Sequence, residues 1–172
     1  MTTPGTDHSA EQSADKGDKG AAATSTEREV LLVAHTGVHE NLGLAAEAAS
    51  RLQKGGINVR VMATADPAPV ARHEILGRFK RFGHTKEAAT GVEMVIVLGG
   101  DGTFLRAADI AHSADVPVLG INMGHIGFLA EWEQESLQEA VDRVIDRDYR
   151  IEDRMTLSIT ARDMACLLYP SP

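Results

Sequence analysis

The segment Gly99-Gly100-Asp101-Gly102-Thr103 sets one carboxylate among three glycines, directly after the apolar run Met94-Val95-Ile96-Val97-Leu98. Glycines let backbone N–H groups approach a ligand closely. A helix starting here adds unpaired amides and the positive end of its dipole, which suits phosphate oxygens. A carboxylate in such a cradle repels anions unless it has a task. Asp101 could align and deprotonate an acceptor hydroxyl, or hold a metal ion bound to phosphate. Capping the helix expected over 103–111 is its structural alternative. Gly99 and Gly100 are read as backbone-shape residues and Gly102 as a close amide contact. No Gly-Lys-Ser or Gly-Lys-Thr follows, so the loop is not a Walker motif, and it also departs from the Rossmann fingerprint.

Arg106 stands one turn into the same helix, where its guanidinium can reach back toward phosphate or an adenine-side group. A second glycine-rich loop, Asn122-Met123-Gly124-His125-Ile126-Gly127-Phe128-Leu129, follows the run Val118-Leu119-Gly120-Ile121. Asn122 offers a donor and an acceptor at a strand end, which fits nucleotide recognition. Phe128 and Leu129 are expected to pack their loop against the sheet. His35 also ends a strand. Arg72, Arg78, Lys80, Arg81 and Lys86 form the most basic stretch, opposed by Glu74 and Glu87. It reads as a solvated helix and loop, with a phosphate-meeting edge as the alternative. His73 and His84 lie in it without the carboxylate or cysteine spacing of a metal site. Asp109, His112 and Asp115 match no metal pattern either, and metal ligands are left unassigned.

The elements that must carry these loops alternate in kind. Val30–Ala34 and Met94–Leu98 are continuous apolar runs, as in strands of a parallel sheet covered on both faces. Leu44, Ala48, Ala49 and Leu52 make a helical stripe over 39–54, stopped by Gly55-Gly56. Ile57 to Met62 supplies the next strand, completing a βαβ unit. Phe79 and Phe82 suit a short helix. Ser136 with Glu139 suits a capping box ahead of the stripe Leu137, Val141, Val144 and Ile145. Met155, Leu157 and Ile159 alternate as a short strand. The expected fold is α/β, three-layered, with a mostly parallel sheet. Ligands of such sheets bind outside the carboxyl ends of the strands, so both glycine-rich loops should face one crevice.

The chain has 172 residues, with 17 Lys and Arg against 25 Asp and Glu and a net charge of −8, which argues against a general nucleic-acid binder. No apolar run reaches the roughly 18 residues of a membrane helix, and no targeting segment is visible, so a cytoplasmic location is expected. The single cysteine, Cys166, excludes an internal disulfide framework. Residues 1–28 carry almost no large apolar side chain and are expected to be a disordered tail. Residues 29–154 form the α/β domain. Residues 155–172 read as the truncated start of a second domain or an aberrant tail.

On Gly99-Gly100-Asp101-Gly102-Thr103-Phe104-Leu105-Arg106 together with Asn122 to Leu129, the chain resembles the NAD kinase family over residues 29–160. Diacylglycerol, sphingosine and sugar kinases share a similar first loop; the second loop narrows the choice. The resemblance implies phosphoryl transfer from ATP or inorganic polyphosphate to the 2′-hydroxyl of the adenosine ribose of NAD, giving NADP, with magnesium or another divalent ion. It puts the proton acceptor at Asp101 and nucleotide contacts at Asp101, Gly102, Arg106 and Asn122. NAD and ATP are the implied partners, with no nucleic acid and no membrane. Family members continue into a β-rich domain that completes the NAD pocket and the oligomer contacts. The chain is therefore expected to hold half a cleft, to be weakly active or inactive alone, and to be homo-oligomeric only in complete two-domain form. A non-catalytic nucleotide-binding fragment is the reading from another class.

Overall fold

Strand β1 (Glu29–Ala34) is followed by helix α1 (His39–Lys54) and strand β2 (Asn58–Ala63). These come from a computed structural model of the chain, which describes residues 27–36, 39–123, 128–130 and 132–157. A short helix α2 (Ala68–Arg72) and a 3-10 turn (Leu76–Arg78) lead to strand β3 (Lys80–Phe82). After a second 3-10 turn (Lys86–Ala88) come β4 (Met94–Gly99), α3 (Asp101–Ala114) and β5 (Val118–Asn122). Strand β6 (Trp132–Glu133), a third 3-10 turn (Gln134–Ser136) and α4 (Leu137–Asp146) follow.

The six strands pair in the order β3-β2-β1-β4-β5-β6, every pairing parallel. Side chains alternate between two apolar layers. Val30, Leu32 and Ala34 face α1 and α4, whereas Leu31 and Val33 face α3. Leu42, Ala45, Ala49 and Leu52 cover the first face, and Ala107, Ile110 and Ala111 the second. This is the expected three-layer α/β fold. Its strand order reverses between β1 and β4, so the connections leaving their carboxyl ends diverge to opposite faces. A crevice opens at such a point.

Several local expectations are corrected. Phe79 and Phe82 do not share a helix, because the segment is an edge strand pairing with Arg60, Val61 and Met62. Arg60 and Lys80 lie over the Phe82 ring at 5.1 and 4.9 Å, which holds that edge by cation–π contact. Ser136 precedes α4 without a side-chain cap bond, and Glu139 turns outward to Arg143 instead. Met155 and Leu157 form no strand and are 92% and 81% exposed; no neighbouring strand among the described residues supplies a ladder for them. Ile159 and Cys166 lie outside the described residues. Strand β6 was missed, since two residues carry no period.

Arg28, assigned to the tail by its composition, is an anchor. Its Nε and Nη2 donate to both carboxylate oxygens of Glu93 at 2.6 and 2.7 Å. Its Nη1 and Nη2 also donate to the Ile145 and Val144 carbonyls, at 2.7 and 2.6 Å, closing the carboxyl end of α4. Tyr149 donates its hydroxyl to Glu93 Oε1. The hydrogen bonds from Arg28 hold the Glu93 carboxyl below its ordinary value, against the opposing effect of burial. A lowered folded-state value means stability that is fully present above the ordinary glutamate range. It is lost as pH falls through the folded value. We expect Arg28→Met to cost about 2–3 kcal/mol in urea unfolding near pH 7. The variant should also lose less further stability than the parent on acidification to about pH 4. Equal acid sensitivity in both proteins would assign that loss to other carboxylates.

Candidate functional site

The crevice lies at the reversal point. Its lining comes from His35 after β1, Asn41 in the first turn of α1, Gly100, Gly102, Thr103 and Arg106 around the start of α3, and Met123 after β5. It encloses about 330 Å³. Three of the segments therefore leave the carboxyl ends of adjacent strands, and the expectation of one shared crevice is met.

Helix α3 starts two residues earlier than expected, with Asp101 inside its first turn and Gly100 at the N-cap. The N–H groups of Thr103 and Phe104 both donate to the Gly100 carbonyl at 3.0 Å. Those of Asp101 and Gly102 precede that first bond. Asp101 is thus not the cap its alternative reading proposed. Its Oδ1 accepts the backbone N–H groups of Phe128 and Leu129, each at 3.1 Å, and Oδ2 is 3.3 Å from the Phe128 nitrogen. The two glycine-rich loops consequently meet through this one carboxylate. Met123 adds a backbone bond from its N–H to the Gly99 carbonyl at 3.3 Å.

The side chains of Phe128 and Leu129 do not pack the loop against the sheet, as was expected. They are 87% and 40% exposed, and the backbone makes the attachment. Leu105, on the first turns of α3, is also exposed. Gly124, His125 and Gly127 lie outside the described residues.

The glycines have different reasons. A Cβ at Gly99 would meet Thr103 Cβ and Oγ1 at 2.7 Å, so glycine lets buried Thr103 seat α3 against the end of β4. Gly100 has extended backbone angles that any residue adopts, and neither it nor Gly102 has a neighbour within 4 Å of a built Cβ. Backbone shape therefore does not explain Gly100. Open space beside the first helical amides explains both residues better, and it is the space a ligand would enter.

Arg106 lines the crevice and donates from Nη1 to the Thr64 carbonyl after β2, at 2.9 Å. His84 Nε2 stands 3.1 Å from the Arg106 carbonyl. His73 is elsewhere, its Nδ1 accepting the Ile75 N–H at 3.3 Å, so the two histidines do not form a pair. Asn122 stands at the end of β5 opposite Gly99 and Glu133, outside the crevice lining. Sequence reasoning missed Asn41 and the Thr64 and His84 contacts. A polar residue in the first turn of a helix leaving a buried strand was the available signal for Asn41.

The profile of the ATP-NAD kinase N-terminal domain matches residues 30–149. The chain belongs to the NAD kinase family. It is 93% identical to a Corynebacterium jeikeium protein named NAD kinase, over 95% of this chain and 51% of that relative. It is 59% identical to a Corynebacterium efficiens NAD kinase, over 81% of this chain and 44% of the relative. A Nocardia farcinica NAD kinase is 48% identical over 80% of this chain and 45% of its own length. The chain thus spans about half the length of these curated relatives. The solved structure titled "Structure of MT0777" aligns with a TM-score of 0.53 over 70% of this chain and 99% of its own, at 16% identity, a likeness of fold. Membership of the NAD kinase family, rather than of the lipid or sugar kinases with a similar loop, agrees with the joint presence of both loops. No described helix is long and apolar enough to cross a membrane.

Because Gly102 borders open space, Gly102→Ala should leave the thermal midpoint within about 3 °C of the parent. It should weaken nucleotide or polyphosphate binding at least about tenfold by placing a methyl over the first-turn amides. Calorimetric titration together with thermal unfolding checks both halves.

Proposed function

We propose that this chain supplies the phosphate-binding and proton-accepting half of an NAD kinase. The carrying observation is the Asp101 carboxylate, positioned by the second loop at the start of α3 beside a crevice that holds Arg106. Asp101 takes the proton of the 2′-hydroxyl of the NAD adenosine ribose as that oxygen attacks the terminal phosphorus of ATP or polyphosphate. A carboxylate has about four lone-pair sites, so the two amides it accepts leave room for that hydroxyl. The amides orient it; general-base assistance of this kind contributes about 10²–10⁴ in rate. Gly102 and Arg106 bear the phosphate charge, and Asn122 supports the nucleotide end.

No group of three metal-ligating side chains exists among the described residues. A magnesium ion carried in on the phosphates would keep several of its own waters and need only one or two protein carboxylates. Asp101 is the carboxylate that would meet it. When bound, such an ion would supply positive charge that offsets the charge of the phosphates.

A second reading rests on a different observation. Phe128, Leu129 and Leu105 expose apolar surface beside Asp101, and the chain spans half the length of its curated relatives. On that reading the chain binds NAD or ATP with little turnover of its own, and homo-oligomers belong to the two-domain form. NADP formation by the 172-residue chain, measured beside the C. jeikeium relative, separates the readings. Matching turnover would reject the half-cleft. Asp101→Asn, whose amide oxygen still accepts from the loop, should keep the fold and nucleotide affinity. It should lower NADP formation by about 10² or more, in the chain or in the same substitution of that relative. Unchanged turnover would reject Asp101 as the base.

A further inference from the structure

We propose that Lys80, Arg81 and Lys86, at the edge of the sheet, form an outer path for inorganic polyphosphate, carrying the phosphates that continue beyond the crevice. This rests on the reading of the crevice as the phosphoryl-donor site. Residues 72–87 hold five cations, Arg72, Arg78, Lys80, Arg81 and Lys86, against Glu74 and Glu87, in a chain of net charge −8. All five are exposed. Among the described residues, Arg78 is the only one of them in an ion pair, with Glu74 at 3.2 Å. Cations without carboxylate partners set up a local positive field, which draws a polyanion even to an acidic protein.

Position ties this edge to the crevice. Strand β3 pairs parallel to β2, so its carboxyl end opens on the same side of the sheet as those of β1 and β4. Just past that end, His84 Nε2 stands 3.1 Å from the carbonyl of Arg106, which lines the crevice. Positive charge therefore continues outward from Arg106, across the junction at His84, to β3 and the turn after it. Lys80 Nζ lies 4.9 Å from the ring of Phe82, the last residue of β3, which leans the ammonium toward the carboxyl end. Arg81 donates from Nη1 to the Gly77 carbonyl at 2.7 Å and keeps its other donors. Lys86 opens the 3-10 turn that packs on α3. Arg60, also over the Phe82 ring, is paired with Glu29 at 2.6 Å and takes no part in the path. Single-stranded nucleic acid binds where charge is combined with aromatic faces for its bases. The Phe82 ring here already carries Arg60 and Lys80, so the edge suits an inorganic polyanion.

The test titrates the full chain with tripolyphosphate, long-chain inorganic polyphosphate and single-stranded DNA, by calorimetry at one fixed salt concentration. Combining Lys80→Gln, Arg81→Gln and Lys86→Gln should weaken long-chain polyphosphate binding about tenfold and leave tripolyphosphate within about twofold of the parent. Saturating ATP should also weaken long-chain binding to the parent, because both occupy the crevice. If the triple variant does not fold by circular dichroism, Arg81→Gln with Lys86→Gln decides, with an expected loss of about fivefold. That pair keeps Lys80 over Phe82. Parent-like long-chain affinity in the folded variant overturns the path while leaving the donor-site reading intact. An equal loss for tripolyphosphate overturns it too, since the charges would then act on the crevice itself. Long-chain binding unmoved by ATP overturns it by detaching the edge from the crevice. Tighter binding of single-stranded DNA than of polyphosphate overturns it in favour of nucleic acid. A parent chain that binds neither tripolyphosphate nor ATP rejects the donor-site reading and the path together.

Discussion

The Asp101 carboxylate accepts two backbone N–H groups from a loop that begins more than twenty residues later, and the geometry of the crevice depends on that contact. It draws the segment after β5 over the start of α3 without using either apolar side chain of Phe128 or Leu129. A backbone attachment leaves those side chains outside and fixes the carboxylate's direction. The same group is the one whose chemistry the crevice would require. A carboxylate at this glycine-rich helix start is stabilised on these terms, because the neighbouring amides offset its charge.

The sheet makes the contact possible. Reversal of strand order between β1 and β4 sends α1 to one face and α3 to the other, so two helix amino ends flank one opening. Gly99 brings Thr103 against the strand end, and Gly120 gives the same close approach to Phe104, whose ring lies 2.8 Å from a built Cβ there. Arg106 then reaches across to the Thr64 carbonyl after β2. At the far end of the sheet, Arg28 ties Glu93 to the last carbonyls of α4. The sheet is thus held by backbone geometry at its crevice end and by a charged latch at the other.

Much of this was legible beforehand where the signal was periodic. Continuous apolar runs marked β1 and β4, and the stripe through Leu44 and Leu52 marked α1 to its observed bounds. Gly56, at a φ of 81°, ended that helix in the left-handed region, as the glycine pair implied. Short elements failed. The Phe79–Phe82 spacing is equally compatible with a turn and an edge strand, and only pairing with β2 chose between them. The Ser136 and Glu139 pattern described a cap that the fold did not use: Glu139 accepts from Arg143, one turn along the helix, instead.

Residue order alone determined the α/β class, the two glycine-rich loops, the aspartate between them and the family to which they belong. These are local patterns, readable because a strand, a helix and a close-approach loop each impose their own spacing. Tertiary structure decided what those residues touch. It turned Asp101 toward the Phe128 and Leu129 amides, set buried Asn41 in the crevice wall, sent Arg106 to Thr64 and moved Arg28 out of the tail into the latch. Such contacts join segments far apart in the chain. Their geometry depends on how the strands are ordered, which no spacing along one segment encodes.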